Sequence, residues 1–315
     1  MTPASVDSLI EVYAQVGAIN RSLLGRLERL LARFHEQGVD CVLLKGADIA
    51  PRLYGVWGLR PMMDIDLLVR PADLPTIDSI VRQLGYRPAI DGNPSYIDPD
   101  NTTSLDIAED IWYLDDTEVI WQRAVSRIQG GVQVKGMGAS DLLIFLTAYV
   151  VVYRGAFSAS FARDVRLLVD KETVDWDFVV EEAIRRNLTV PIYYGLSYAA
   201  AKGGAAIPGP TLARLSPSGW VERILLYGLR RLCTERWIDG VGHVLLFLTQ
   251  RGRKRWGWLA RTLVPPRQFI SYRYGTRRAL HARAMRLLRP PVLLARALRV
   301  SIKVLAPLLR RGESS

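Results

Sequence analysis

Apolar residues recur at intervals of three and four through Leu23, Leu24, Leu27, Leu30, Leu31 and Phe34, the spacing of one helix face, and Gly38 follows where a helix end favours a left-handed residue. Cys41-Val42-Leu43-Leu44 is a short continuous apolar run and reads as a buried strand. Lys45-Gly46 makes a turn, and 47–54 is helical, with Pro51 suited to a first turn. A loop containing Gly55, Gly58 and Pro61 leads into Asp64-Ile65-Asp66-Leu67-Leu68-Val69. That segment is short and carries β-branched residues, so it reads as a strand. Pro71-Ala72-Asp73 opens a helix that reaches Leu84 and stops at Gly85. Residues 86–110 read as short strands with turns at 91–94 and 98–100. From about Val119 the period becomes helical, with helices expected over 141–153, 161–169, 176–186 and 191–201. The pattern therefore predicts a mixed α/β part followed by an all-α part, with domains at 1–125, 126–250 and 251–315.

Length and composition agree with a chain that buries a substantial core: 315 residues, 49% of them hydrophobic. Two cysteines, Cys41 and Cys233, supply neither a disulfide framework nor a metal spacing. With no basic leader followed by an apolar core, this points to a reducing, cytoplasmic setting. The longest uncharged stretch, 142–153, is shorter than a bilayer span. His35, His243 and His281 are scattered and make no ligand spacing. The formal charge of +11 is concentrated at one end. From Arg251 onward 17 Lys and Arg face a single acid, Glu313, whereas residues 1–250 are slightly acidic.

Candidate chemistry gathers in 43–69. In a strand, positions i and i+2 share a face, so Asp64 and Asp66 project together while Ile65 and Leu67 point away. Paired carboxylates repel unless a cation lies between them, and hard oxygen ligands favour Mg²⁺. Lys45-Gly46, between a strand and a helix, offers a cation and an approach unobstructed by Cβ to an anion, and Arg60 adds a second cation. Asp106 lies between Leu105 and Ile107 on another strand and is the preferred third carboxylate; Asp98, Asp100, Glu109 and Asp110 compete with it in an acid-rich stretch. Anion cradle, basic residues and clustered carboxylates are the parts that metal-assisted phosphoryl or nucleotidyl transfer requires.

The segment LLKGADIAPRLYGVWGLRPMMDIDLLV resembles the active-site region of DNA polymerase β-type nucleotidyltransferases. Within that superfamily it resembles the bacterial uncharacterised nucleotidyltransferase family, whose pattern is close to L-L-K-G…L…Y…R…D-x-D-L-L-V. The resemblance also implies kinship with nucleotidyltransferase-like toxins of type IV toxin–antitoxin systems, which share a G-G…R…D-x-D arrangement. The resemblance extends more weakly to 105–107, to Asp164 and to Asp175-Trp176-Asp177. It implies an α+β fold: a polymerase β-type mixed sheet with flanking helices, followed by an all-helical domain. It further implies Mg²⁺ held by Asp64, Asp66 and Asp106, an NTP substrate met by Lys45, Gly46 and Arg60, and NMP transfer to a hydroxyl or phosphate acceptor. That acceptor could be a small molecule, a peptide or RNA. Relatives often carry a His-Trp pair after the third carboxylate, where this chain has Ala108-Glu109, and histidines in the first downstream helix, where it has Tyr149 and Tyr153. Those departures leave room for a catalytically silent nucleotide-binding or scaffold protein with a membrane-associating tail, and the basic, aromatic end of the chain leaves room for a toxin-like enzyme that modifies tRNA.

The basic end, 251–315, interleaves Arg and Lys with Trp256, Trp258, Tyr272 and Tyr274. Three readings stay open for it: RNA binding by phosphate contact and stacking, attachment to an anionic membrane surface, or a solvated helical face. An amphipathic helix is expected over 292–310, interrupted by Pro307. It has Arg296, Arg299, Lys303 and Arg310 on one face and Leu294, Leu298, Ile302 and Leu305 on another.

Overall fold

The computed structural model describes residues 3–55, 58–90, 94–100, 102–158, 160–238, 240–249, 252–265, 269–270, 283–295, 297–298 and 302. The chain divides into two compact units, Met1–Gly138 and Ala139–Ser315.

The first unit is built on a seven-stranded mixed sheet of order β3-β4-β5-β2-β1-β7-β6. Its elements run α1 (Pro3–Glu36), β1 (Cys41–Leu44), α2 (Lys45–Ile49) continuing as a π-helical turn (Ala50–Tyr54), β2 (Asp64–Val69), α3 (Leu74–Gln83), β3 (Arg87–Ile90), β4 (Pro94–Ile97), β5 (Ser104–Ala108), α4 (Glu118–Arg123), β6 (Val125–Gln129) and β7 (Val132–Gly136). One sheet face, with Leu43, Ile65, Leu67, Val69, Leu105 and Ile107, is covered by the Leu23–Phe34 stripe of α1 and by Ile77, Ile80 and Val81 of α3. Each such buried aliphatic side chain contributes about 1.5–3 kcal/mol. Because side chains alternate along a strand, that apolar face commits Asp64, Asp66 and Asp106 to the opposite one.

The sequence reading placed the end of strand structure near 125, whereas β6 and β7 occupy 125–136. They form an antiparallel hairpin, Gln129 opposite Val132, closed by Gly130 and Gly131, both at positive φ. Ile128 and Val125 of β6 are exposed, so this edge ribbon shows little of the apolar run that marks a buried strand. The Gly-Gly pair was the available signal.

Among the described residues of the second unit every regular element is helical: α5 (Ala139–Ala148) with a π-helical turn (Tyr149–Arg154), α6 (Phe161–Lys171), α7 (Trp176–Arg185), α8 (Thr189–Tyr198) with a second π-helical turn (Ala199–Gly203), α9 (Gly209–Leu215), α10 (Trp220–Leu232), α11 (Val241–Thr249) and α12 (Gly252–Leu263). α5 is buried on all sides from Asp141 to Ala148, which explains the uncharged stretch in the sequence. Asp175 caps α7 by accepting from Phe178 N at 3.0 Å. Residues 283–295 are also helical; most of the expected 292–310 helix and His281 lie outside the described residues. The architecture as a whole is α+β, a mixed sheet with flanking helices followed by helices.

Candidate functional site

β2 lies between β1 and β5. Its antiparallel pairing with β1 sets Leu44 opposite Asp66, and its parallel pairing with β5 sets Asp66 opposite Asp106. Asp64, Asp66 and Asp106 each offer a carboxylate oxygen within 4.8 Å of the other two. Among the described residues no other acidic group makes such a cluster. The competitors for the third position do other work. Asp98 is fully buried, pairs with Arg26, and accepts hydrogen bonds from Thr102 N, Thr102 Oγ1 and Thr103 Oγ1, while Asp100 receives Arg26 at 2.7 Å. Glu109 and Asp110 lie beyond the end of β5.

Asp66 is the least solvated of the three carboxylates, 5% exposed. Burial pushes its carboxyl up to about 7; the Lys45 charge opposes this, and Asp64 and Asp106 add to it. Its Oδ1 accepts from Lys45 Nζ at 2.6 Å, but its Oδ2 is buried with no hydrogen-bond partner. An orphaned, buried carboxylate oxygen facing two further carboxylates is the donor set of a hard divalent cation, so these three residues could hold one.

Lys45 reaches Asp66 through an unusual backbone. The chain leaves β1 and enters α2 with no loop, and Lys45 takes φ 45°, the left-handed region that favours glycine. A side chain there costs about 1–2 kcal/mol. The Lys45–Asp66 ion pair is what a glycine could not supply. Gly46, by contrast, is needed for space: a Cβ on it would lie 2.9 Å from Arg60 Nη1 and 3.2 Å from Met62 Cγ. Lys45, Gly46, Arg60 and Asp66 are thus brought together, although 13 residues separate Gly46 from Arg60 along the chain. Tyr54 is buried behind the helix turn.

Sequence reasoning missed the groups that hold this arrangement. Asn20 of α1, 1% exposed, donates from Nδ2 to Arg60 O at 2.7 Å and accepts from Met62 N at 3.1 Å, clamping the loop before β2. Asp48 of α2 is buried with Arg52, whose Nη1 lies 2.6 Å from Asp48 Oδ2 and 2.9 Å from Met137 O; Arg127 Nε of β6 stands 3.7 Å from Asp48 Oδ1. This pair ties the helix that begins at Lys45 to the β6–β7 ribbon. Asn20 and Asp48 show in the sequence only as polar residues within apolar helical runs. Cys41 is an inert thiol, its pKa pushed up to about 12 by burial.

Two solved structures are similar to parts of this chain. The antibiotic-resistance factor ANT(2″)-Ia is 18% identical, with 59% of this chain and 97% of that one covered and a TM-score of 0.40. An antigenic nucleotidyltransferase-like protein from Paracoccidioides brasiliensis is 15% identical, with 70% and 96% covered and a TM-score of 0.36. No curated protein matches the sequence. The family model for uncharacterised nucleotidyltransferases matches residues 2–202, nearly all of the sheet unit and the helices through α8, and the chain belongs to that family.

Proposed function

We propose that the protein is a metal-dependent nucleotidyltransferase that moves an NMP group from an NTP to a hydroxyl or phosphate acceptor. The observation that carries this reading is the Asp64–Asp66–Asp106 cluster with its orphaned Asp66 Oδ2, set beside Lys45 and Arg60. Asp64, Asp66 and Asp106 would hold Mg²⁺, which when bound supplies charge neutralisation for the triphosphate. Lys45 and Arg60 bind and orient the phosphates, and Gly46 keeps the space between them clear. Asp106 takes the proton of an acceptor hydroxyl as its oxygen bonds to the α-phosphorus; the bond from that phosphorus to the β-phosphate's bridging oxygen breaks, and pyrophosphate leaves. Lys45 also offsets part of the negative charge that Asp64, Asp66 and Asp106 concentrate, which lowers the proton affinity that burial gives Asp66.

Incubation with each of the four α-³²P NTPs and Mg²⁺, in the presence of RNA, small-molecule extract and protein fractions, tests the reading. Label transfer by the wild type and none by Asp64→Ala/Asp66→Ala is expected. Absence of both transfer and metal-dependent NTP binding overturns it.

A further inference from the structure

Residues beyond the family match carry a second anomaly. About half of the large apolar side chains exposed among the described residues fall between 220 and 302, in the same third of the chain that carries the excess of positive charge. The helical residues 283–295 concentrate it. On the side turned toward the protein stands Arg289, 9% exposed, its Nε donating to Thr262 O of α12 at 2.8 Å and its guanidinium 5.0 Å from the Phe269 ring. Leu287, Leu294, Leu298 and Ile302 recur at seven, four and four residues, a spacing that keeps them on one face, and they are 77%, 65%, 61% and 53% exposed. Helical angles of 100° per residue set that face opposite Arg289. An ordinary surface helix turns its apolar side inward and its charges out; here the anchor is a cation and the solvent-facing side is aliphatic.

We propose that the described helical residues between 283 and 302 form a docking element that lays the Leu287–Leu294–Leu298–Ile302 face into the headgroup–acyl boundary of an anionic phospholipid bilayer. Charge selects the occupant. With 17 Lys and Arg against one acid from Arg251 onward, a second copy of this surface is repelled, whereas an anionic lipid surface is attracted. The face itself is aliphatic, without the aromatic rings on which bases stack, and this favours lipid over RNA. No helix among the described residues is long and apolar enough to cross a membrane, so the contact is one of lying on the surface. The inference is independent of the transfer chemistry, since none of its residues belongs to the carboxylate site.

The test uses the full-length chain with phosphatidylcholine vesicles, with and without phosphatidylglycerol. Co-sedimentation with the anionic vesicles alone is expected, and Leu287→Glu/Leu294→Glu/Leu298→Glu should lower the bound fraction at least about tenfold without moving the melting temperature. Because Cys41 and Cys233 are both buried, Leu298→Cys can be labelled selectively with an environment-sensitive fluorophore, which decides the matter if the triple variant misfolds. Its emission should shift to the blue when anionic vesicles are added. An unmoved emission overturns the proposal. So does binding that about 0.5 M salt abolishes and the leucine substitutions leave intact. Displacement from vesicles by polyuridylate RNA, with the triple variant binding that RNA as the wild type does, assigns the surface to RNA and overturns it too.

Discussion

Strand β2 and the helical residues 283–295, 297–298 and 302 break the same rule in opposite directions. β2 turns Ile65, Leu67 and Val69 into the core as a strand should, yet also sinks the Asp66 carboxylate until it is 5% exposed. The C-terminal helix turns Arg289 inward and leaves leucines outside. Neither arrangement is favourable for folding alone. Burying a carboxylate beside two others raises its proton affinity, and exposing aliphatic surface forgoes about 25 cal/mol per Å². In both places the proposed partner has the fitting chemistry: a cation for the carboxylates, an apolar and anionic phase for the helix.

The comparison is broken most decisively by substitutions that separate its two halves. Asp64→Ala/Asp66→Ala should lower label transfer by at least about a thousandfold while leaving vesicle binding as in the wild type. The Leu287/Leu294/Leu298 triple should do the reverse in solution assays; loss of both activities in either variant would show that the two regions fold or act as one. Next in size, Asp48→Ala strands the buried Arg52 guanidinium and should cost about 3 kcal/mol in denaturant titrations. Lys45→Gly relieves the left-handed backbone and removes the cation, so a melting temperature close to wild type should accompany a fall of about a hundredfold in transfer. Gly46→Ala crowds Arg60 and Met62 and should raise KM for the NTP about tenfold with little change in stability.

A further effect is one of pH. With the Asp66 carboxyl raised from 3.8 to about 7, the native state holds a proton that the unfolded chain releases across that interval. Its contribution to metal-free stability is therefore full below the unfolded value and is lost as pH rises toward 7 and beyond. Asp66→Asn should flatten that part of the melting-temperature profile, and an unchanged slope would show that Asp66 is ordinary.

How much of this was legible in the sequence depended on range. The D-x-D strand was readable because its signal spans a few residues and follows from strand period, whereas the turn expected at Lys45-Gly46 is the first turn of α2. Asn20 was not readable, because its partners are Arg60 O and Met62 N, some forty positions away, and a lone polar residue on an apolar stripe has many explanations. Asp98 competed with Asp106 along the chain, although the flanking Leu105 and Ile107 favoured Asp106. What distinguishes them is Arg26 on α1, which meets Asp98, and the pairing of β5 with β2, which delivers Asp106. The β6–β7 ribbon escaped because an exposed edge hairpin lacks the apolar contrast that marks buried strands. For the C-terminal helix, amphipathicity could be read from periodicity, but which face points outward could not; the Arg289 contacts decide that.

The pairing of Asp66 with Asp106 has an evolutionary corollary. The third carboxylate is addressed by its rung on the sheet and not by its distance along the chain. Everything between β2 and β5, namely α3, β3, β4 and their turns, is an excursion whose length can grow or shrink among relatives without displacing the carboxylate. A slip of one residue within β5 would instead swap Asp106 for an aliphatic neighbour and turn the carboxylate into the core. Insertions and deletions in this family should therefore accumulate in the excursion and be purged from a five-residue strand, and relatives are better aligned by sheet rung than by motif spacing.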